Sequence, residues 1–262
     1  MTLTPDIIAL LMMAAFCAGI IDAIAGGGGL ITIPALLAAG VPPVAAIATN
    51  KLQSTCGTGG AVWAFARKGH IDFRKFLGPA LAAFVGSAAG AFILTRIDSA
   101  FLSGLVPVLL IAMAAYYMFA PRMSDEDRHG HARPLLLLAV AAIIGCYDGF
   151  FGPGTGSFLT TALVALFGLG MIRAIAHTKL LNLASNLSGL SVMAIGGHVL
   201  WIAGLAMAVA NLVGAQIGAH LAIRFGAKAV RPLLIVVCMG LTAKLLTNPE
   251  NPLTAFVLGQ IS

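Results

Sequence analysis

Charge is what this chain has least of. Only 9% of its 262 residues are Asp, Glu, Lys or Arg, against about 25% in a soluble domain. Too little charge is present to solvate a surface of that size, which excludes a soluble enzyme, a nucleic-acid-binding domain and a disordered regulator. Acidic residues number nine and basic residues 15, a formal charge of +6. Basic side chains scattered along loops are accounted for by membrane topology and need no anionic macromolecule. Cysteine is also scarce. Cys17, Cys56, Cys146 and Cys238 lie in apolar segments without metal-type spacing, so they read as small packing residues and not as a disulfide framework. The longest polar run is about a dozen residues around 121–133, so no extramembrane domain is expected. What fills the chain instead is apolar: 60% hydrophobic residues and 31 glycines, with a mean hydropathy of +1.00. Apolar stretches of membrane-spanning length recur throughout, the pattern of an all-α polytopic membrane protein. Ala23-Ile24-Ala25 has the look of a signal-peptide cleavage site. No basic residue precedes the apolar stretch, however, and the same pattern returns in mid-chain, so the first segment is expected to stay.

The chain repeats itself. An offset of 126 lays Gly19, Asp22, Gly26 and Gly28 over Gly145, Asp148, Gly152 and Gly154. After a short slip, an offset of 128 pairs Gly40, Ala46-Ile47-Ala48, Lys51 and Leu52 with Gly168, Ala174-Ile175-Ala176, Lys179 and Leu180. That offset continues through Gly69-His70 and Gly197-His198, Gly86 and Gly90 with Gly214 and Gly218, and Arg96 with Arg224. Two Ala/Leu-rich halves match by chance at apolar positions, but not at Asp, Lys, His and Arg together. The chain is read as one membrane domain, 1–262, with a first repeat over 5–119, a connecting loop at 120–133 and a second repeat over 134–247.

Each repeat shows the same elements in the same order. A helix runs to the aspartate (5–24 and 134–150), a glycine-rich break follows, and then a short apolar segment (30–40 and 157–168) and a longer one (43–66 and 171–195). Two further spans close each half, 75–95 and 100–119, then 200–223 and 229–247. A dozen helical residues rise roughly 18 Å, too little for a ~30 Å hydrocarbon core. The short segments are therefore broken or re-entrant helices, which membranes tolerate where the backbone is buried in protein or lines a wet cavity. About eight transmembrane helices remain. Loop charge sets their sense: 67–75 carries Arg67, Lys68, Arg74 and Lys75, whereas 195–203 carries none. Conversely, Arg96 is balanced by Asp98, while its counterpart region has Arg224, Lys228 and Arg231. Equivalent loops fall on opposite sides, which makes an inverted-topology repeat with the 120–133 loop cytoplasmic and both termini periplasmic. Interrupted helices at matching places in inverted halves point to a substrate site near the midplane.

Three features carry candidate chemistry. The glycine breaks Gly26-Gly27-Gly28-Gly29 and Gly152-Pro153-Gly154-Thr155-Gly156 each open a short helix, whose free amides form an anion site. The competing account is a tight turn between close-packed helices. No Gly-Lys-Ser/Thr follows either break, which excludes a P-loop. Next, Lys179, Asn182 and Asn186 share one helical face, and the first repeat offers Lys51, Ser54 and Thr58, with Asn50 and His177 beside the lysines. A lysine in hydrocarbon costs several kcal/mol, so both face protein or water, as counter-charge for an anion or by snorkelling to the interface. Finally, Asp22 and Asp148 are intramembrane carboxylates. They are candidates for proton coupling or for pairing with Lys51 or Lys179, or they cap the short helices that follow. His70 and His198 sit at span ends, and Gly86/Gly90 and Gly214/Gly218 are small-residue packing faces. An intramembrane aspartyl protease is the rival enzyme class, but the Gly-x-Gly-Asp motif of its second aspartate is missing. An anion channel stays open beside a transporter.

At these residues the sequence resembles the TauE/SafE family of membrane transporters, and most closely its YfcA-like branch. The matching stretches are Gly19 to Ala39 (GIIDAIAGGGGLITIPALLAA), Ala48 to Gln53 (ATNKLQ), Gly145 to Phe158 (GCYDGFFGPGTGSF) and Ala176 to Asn186 (AHTKLLNLASN). The resemblance implies a bacterial inner-membrane secondary transporter, not an enzyme, whose substrate class is sulfite or an organosulfonate such as sulfoacetate. The expected partners are that small anion, protons as coupling ion and membrane lipids, with a homodimer left open. No nucleic acid, metal or cofactor is implied.

Overall fold

Prolines and glycines divide the chain into helices. The computed structural model describes residues 3–119 and 134–225; the predicted 120–133 loop and the 229–247 span lie outside the described residues. In chain order the helices are α1 (Pro5–Ala25), α2 (Gly29–Ala38), α3 (Pro43–Arg67), α4 (Phe73–Leu94), α5 (Ser99–Phe119), α6 (Pro134–Phe150), α7 (Thr155–Ala165), α8 (Met171–Ile195) and α9 (Trp201–Phe225). No strand occurs among the described residues. Proline at the first turn of α1 and of α3 starts both helices where no amide partner is lost. Asp72 caps α4 by accepting the Lys75 N–H at 3.1 Å. The amide of Lys75 holds the exposed Asp72 carboxyl below the usual carboxylate range.

Among the described residues, three helices are both long and apolar enough to cross a membrane: α1, α4 and α9 up to Arg224. The 25-residue helices α3 and α8 are as long, but polar residues interrupt them. These polar residues point inward. Thr49, Asn50, Lys51, Gln53 and Thr58 of α3 are buried, as are His177, Thr178, Lys179, Asn182, Ser185 and Asn186 of α8. The outward positions of α1, α4 and α9 carry Leu10, Leu77, Leu81, Ile202 and Val209, all well exposed. Polar inside and apolar outside inverts the soluble pattern and suits hydrocarbon surroundings.

The helices pack reciprocally. α1 lies along α9 and α6 along α4, while α3 touches α9 and α8 touches α4; α3 and α8 meet at the centre. Glycines bring the outer pairs to backbone contact. A Cβ at Gly86 or Gly90 would collide with the Ala142 or Cys146 carbonyl of α6, and one at Gly214 or Gly218 with the Phe16 or Ile20 carbonyl of α1. Small residues at four-residue spacing allow this approach where no water drives association. At ten and eleven residues, α2 and α7 rise only about 15–17 Å, less than a hydrocarbon core. Each follows a break next to the central α3/α8 pair.

Candidate functional site

The first break begins where α1 ends on Gly26 in the left-handed region, φ 76°, which favours glycine. Its Asp22 lies one turn back, and Asp22 Oδ1 accepts the Gly28 N–H at 3.2 Å just ahead of α2. The second break follows α6, with Gly152 at φ 100° and Gly154 at φ 86°. Tyr147 donates its hydroxyl to the Pro153 carbonyl at 2.6 Å, which holds this break closed. The Thr155 hydroxyl opens α7, 2.9 Å from Asp148 Oδ1 and 2.7 Å from the Gly152 carbonyl oxygen. The two breaks cross in direct backbone contact. A Cβ on Gly26 would strike the Gly156 backbone, and one on Gly156 would strike Gly26. Ser157 donates to the Ala25 carbonyl at 2.5 Å across the same junction.

At this crossing the charges pair between halves. Lys179 of α8 binds Asp22 of α1, with Nζ 2.8 Å from Oδ2 and a second hydrogen bond to the Asp22 carbonyl. Lys51 of α3 lies 2.9 Å from Asp148 Oδ2 of α6 and donates to Asn186 Oδ1 at 3.1 Å. Neither lysine snorkels: their side chains are 0% and 1% exposed. The two pairs differ in exposure and in the partners of the carboxylate. Asp22 is 22% exposed and hydrogen-bonded at both oxygens. Asp148 is 2% exposed, with Oδ2 against the Lys51 ammonium and Oδ1 against the Thr155 hydroxyl. Each aspartate therefore does two things at once: one oxygen holds the start of a short helix and the other meets a lysine of the opposite half.

Against these pairs lies a narrow polar cavity. From the predicted residues, Asp22, Gly26, Gly29 and Asn50 line it on one side. Asp148, Gly152, Gly156, Asn182 and Asn186 line it on the other. Lys51 and Lys179 stand just behind their aspartates. Gly27, Gly28 and Gly154 shape the breaks without reaching the wall; Gly154 is closed off by the Met113 side chain. The asparagines are oriented by their neighbours. Asn50 Oδ1 accepts from Thr32 at 2.5 Å and from Gln53 at 2.7 Å, and Asn182 Oδ1 accepts from Asn186 at 3.3 Å. With both oxygens engaged, the amide nitrogens are what each asparagine has left to offer as donors. Donors in front of two lysines make a site suited to the oxygens of an anion. Among the described residues no group of three or more His, Cys, Asp or Glu is placed to hold a metal.

His177 lies outside this lining. Its Nε2 accepts the Asp72 N–H at 3.0 Å, Nδ1 donates to the Arg173 carbonyl at 2.7 Å, and its ring stacks on Phe76 at 3.9 Å. With both ring nitrogens occupied, it fastens α8 to the start of α4. His177→Ala is expected to lower the unfolding temperature in detergent while leaving anion affinity of the folded protein within about twofold of wild type.

Comparison with known proteins agrees with this architecture. The family model described as sulfite exporter TauE/SafE matches residues 11–245. The chain belongs to the TauE/SafE family. A "probable membrane transporter protein" of Sinorhizobium is 45% identical over 94% of this chain and 95% of its own. One from Haemophilus influenzae is 41% identical over 92% and 94%, and YfcA of Escherichia coli is 40% identical over 95% and 93%. None of these names carries an enzymatic activity. No solved structure matches the chain. Family membership and the apolar helices together make this a membrane protein. In this TauE/SafE chain Ser54, which the sequence places with Lys51 and Thr58 in the polar stripe of the first repeat, also lines the cavity. It stands four residues after Asn50, on the same helical face.

Proposed function

We propose that this TauE/SafE protein is a secondary transporter that moves a small oxyanion, sulfite or an organosulfonate, across the bacterial inner membrane. It does so by alternately exposing the cavity at the crossing of the two breaks. The observation that carries this reading is the pair of buried lysines, each held by an aspartate of the opposite half. An anion entering the cavity meets the free amides of Asn50 and Asn182 and competes with the carboxylates for Lys51 and Lys179. The family description and the relatives' names support transport as the activity.

The reciprocal helix contacts support two inverted repeats, with α1, α3, α4, α5, α6, α8, α9 and the 229–247 segment as eight spans. Breaking one ion pair loosens one half from the other, which links occupancy of the site to relative movement of the halves. Two experiments test this. Single cysteines at the exposed equivalent positions Lys68 and Gly196, in a cysteine-free background, should react with an impermeant maleimide from opposite faces. Labelling from one face contradicts inversion. In proteoliposomes, anion flux should saturate and be stimulated by the same anion on the far side. Flux linear in concentration, without that stimulation, makes the protein a channel.

A further inference from the structure

We infer that this site couples each anion to one proton, and that Asp148, not Asp22, is the group that carries it. The inference rests on the anion reading above and adds the coupling ion and its residue. Lys51, Lys179, Asp22 and Asp148 sum to zero charge. A monoanion entering such a site leaves one uncompensated negative charge in surroundings where charge is expensive. A proton taken up with it restores neutrality. The empty carrier and the carrier holding anion plus proton are then both neutral and able to reorient, and the carrier holding the anion alone is not.

Geometry distinguishes the two aspartates. Asp22 is held as a carboxylate: an amide N–H serves Oδ1 and the Lys179 ammonium serves Oδ2. Protonation would set a new O–H against one of those donors. Around Asp148 the partners adapt. As a carboxylate, Oδ1 accepts the Thr155 hydroxyl at 2.9 Å. As a carboxylic acid it donates to the same Thr155 oxygen, whose own proton turns to the Gly152 carbonyl at 2.7 Å. Oδ2 faces the Lys51 ammonium at 2.9 Å, the one contact that protonation weakens. Thr155 thus satisfies both forms, a property a hydroxyl has and an amide lacks. The charged and titratable groups around Asp148 are Lys51 on α3, the Lys179–Asp22 pair across the crossing, and the adjacent Tyr147, whose hydroxyl is engaged with Pro153. Protonating Asp148 therefore frees one ammonium, that of Lys51. The step is a proton transfer alone: the Asp148 carboxylate gains H⁺ from water as the anion takes its place at Lys51.

The test uses the purified full chain in detergent with methanesulfonate, the simplest organosulfonate and a monoanion that does not titrate near neutral pH. Binding in weakly buffered solution should take up one proton per anion, and affinity should fall tenfold for each pH unit above the midpoint. Asp148→Asn should bind with no proton uptake and a flat pH profile, while the charge-conserving Asp148→Glu keeps the uptake but moves the pH midpoint. A midpoint moved by Asp22→Glu and not by Asp148→Glu assigns the proton to Asp22 and overturns the inference. Wild-type binding without proton uptake, or uptake that persists in Asp148→Asn, overturns the inference and leaves the anion site standing. Absence of methanesulfonate binding to folded protein counts against the organosulfonate reading itself, and this inference falls with it.

Discussion

Lys51→Met is expected to destabilise the folded protein by about 3–5 kcal/mol, the range for removing one partner of a buried ion pair. Its side chain is fully buried and leaves behind an Asp148 only 2% exposed and without its cationic partner. Lys179→Met should cost less, because Asp22 is 22% exposed and keeps the Gly28 amide on its other oxygen. Thermal unfolding in detergent gives the order directly. The double variant Lys51→Met/Asp148→Asn should recover most of the loss, since it strands no charge, yet should not bind the anion. Recovery of stability without recovery of binding separates the architectural role of the pair from its role in the site. Equal losses for the two lysine variants would contradict the difference in burial on which the ranking rests.

The crossing of the breaks gives the second large effect. In Gly26→Ala, a left-handed backbone costs a side chain about 1–2 kcal/mol, and overpacking adds roughly 1–3 kcal/mol. The obstacle is the Gly156 backbone, which cannot rotate aside as a side chain would. Gly156→Ala meets the same obstacle from a helical position and should incur the overpacking cost alone. Gly69 provides the control. It has φ +71° with nothing within 4 Å of a new Cβ, so Gly69→Ala should show the backbone cost alone. Unfolding temperatures should fall in the order Gly26→Ala below both single-cost variants. Flux should suffer in Gly26→Ala and Gly156→Ala while surviving in Gly69→Ala. A Gly26→Ala protein with wild-type stability and flux would show that the two breaks do not pack as described.

Much of this fold was legible because its punctuation is local. Gly26, Pro43 and Gly154 stop or start helices by their own backbone preferences, and the segment read as 134–150 is α6 to the residue and 43–66 is α3 to within one. Where the cavity lies was partly legible: the Lys179, Asn182 and Asn186 stripe needs only helical geometry. The same geometry would have set His177 apart, since two residues, about 200°, separate it from Lys179. Which aspartate meets which lysine was not legible. Both pairings are chemically equal, and the crossing of two breaks far apart in sequence decides it. The asymmetry of Asp22 and Asp148 was hidden for a related reason. It depends on Thr155 having a hydroxyl where the first repeat has Gly29, and on how far each carboxylate is covered. The 120–133 loop and the 229–247 span, on which the orientation and the eighth crossing depend, lie outside the described residues.

The most direct measurement of the central claim is flux of sulfite, sulfoacetate and sulfate into proteoliposomes, wild type beside Lys179→Met, the less destabilising lysine variant. The account predicts saturable uptake of at least one sulfur oxyanion by wild type, and its loss in a variant that elutes as folded protein. Wild-type flux from a folded Lys179→Met protein would contradict a substrate site at the crossed lysine–aspartate pairs.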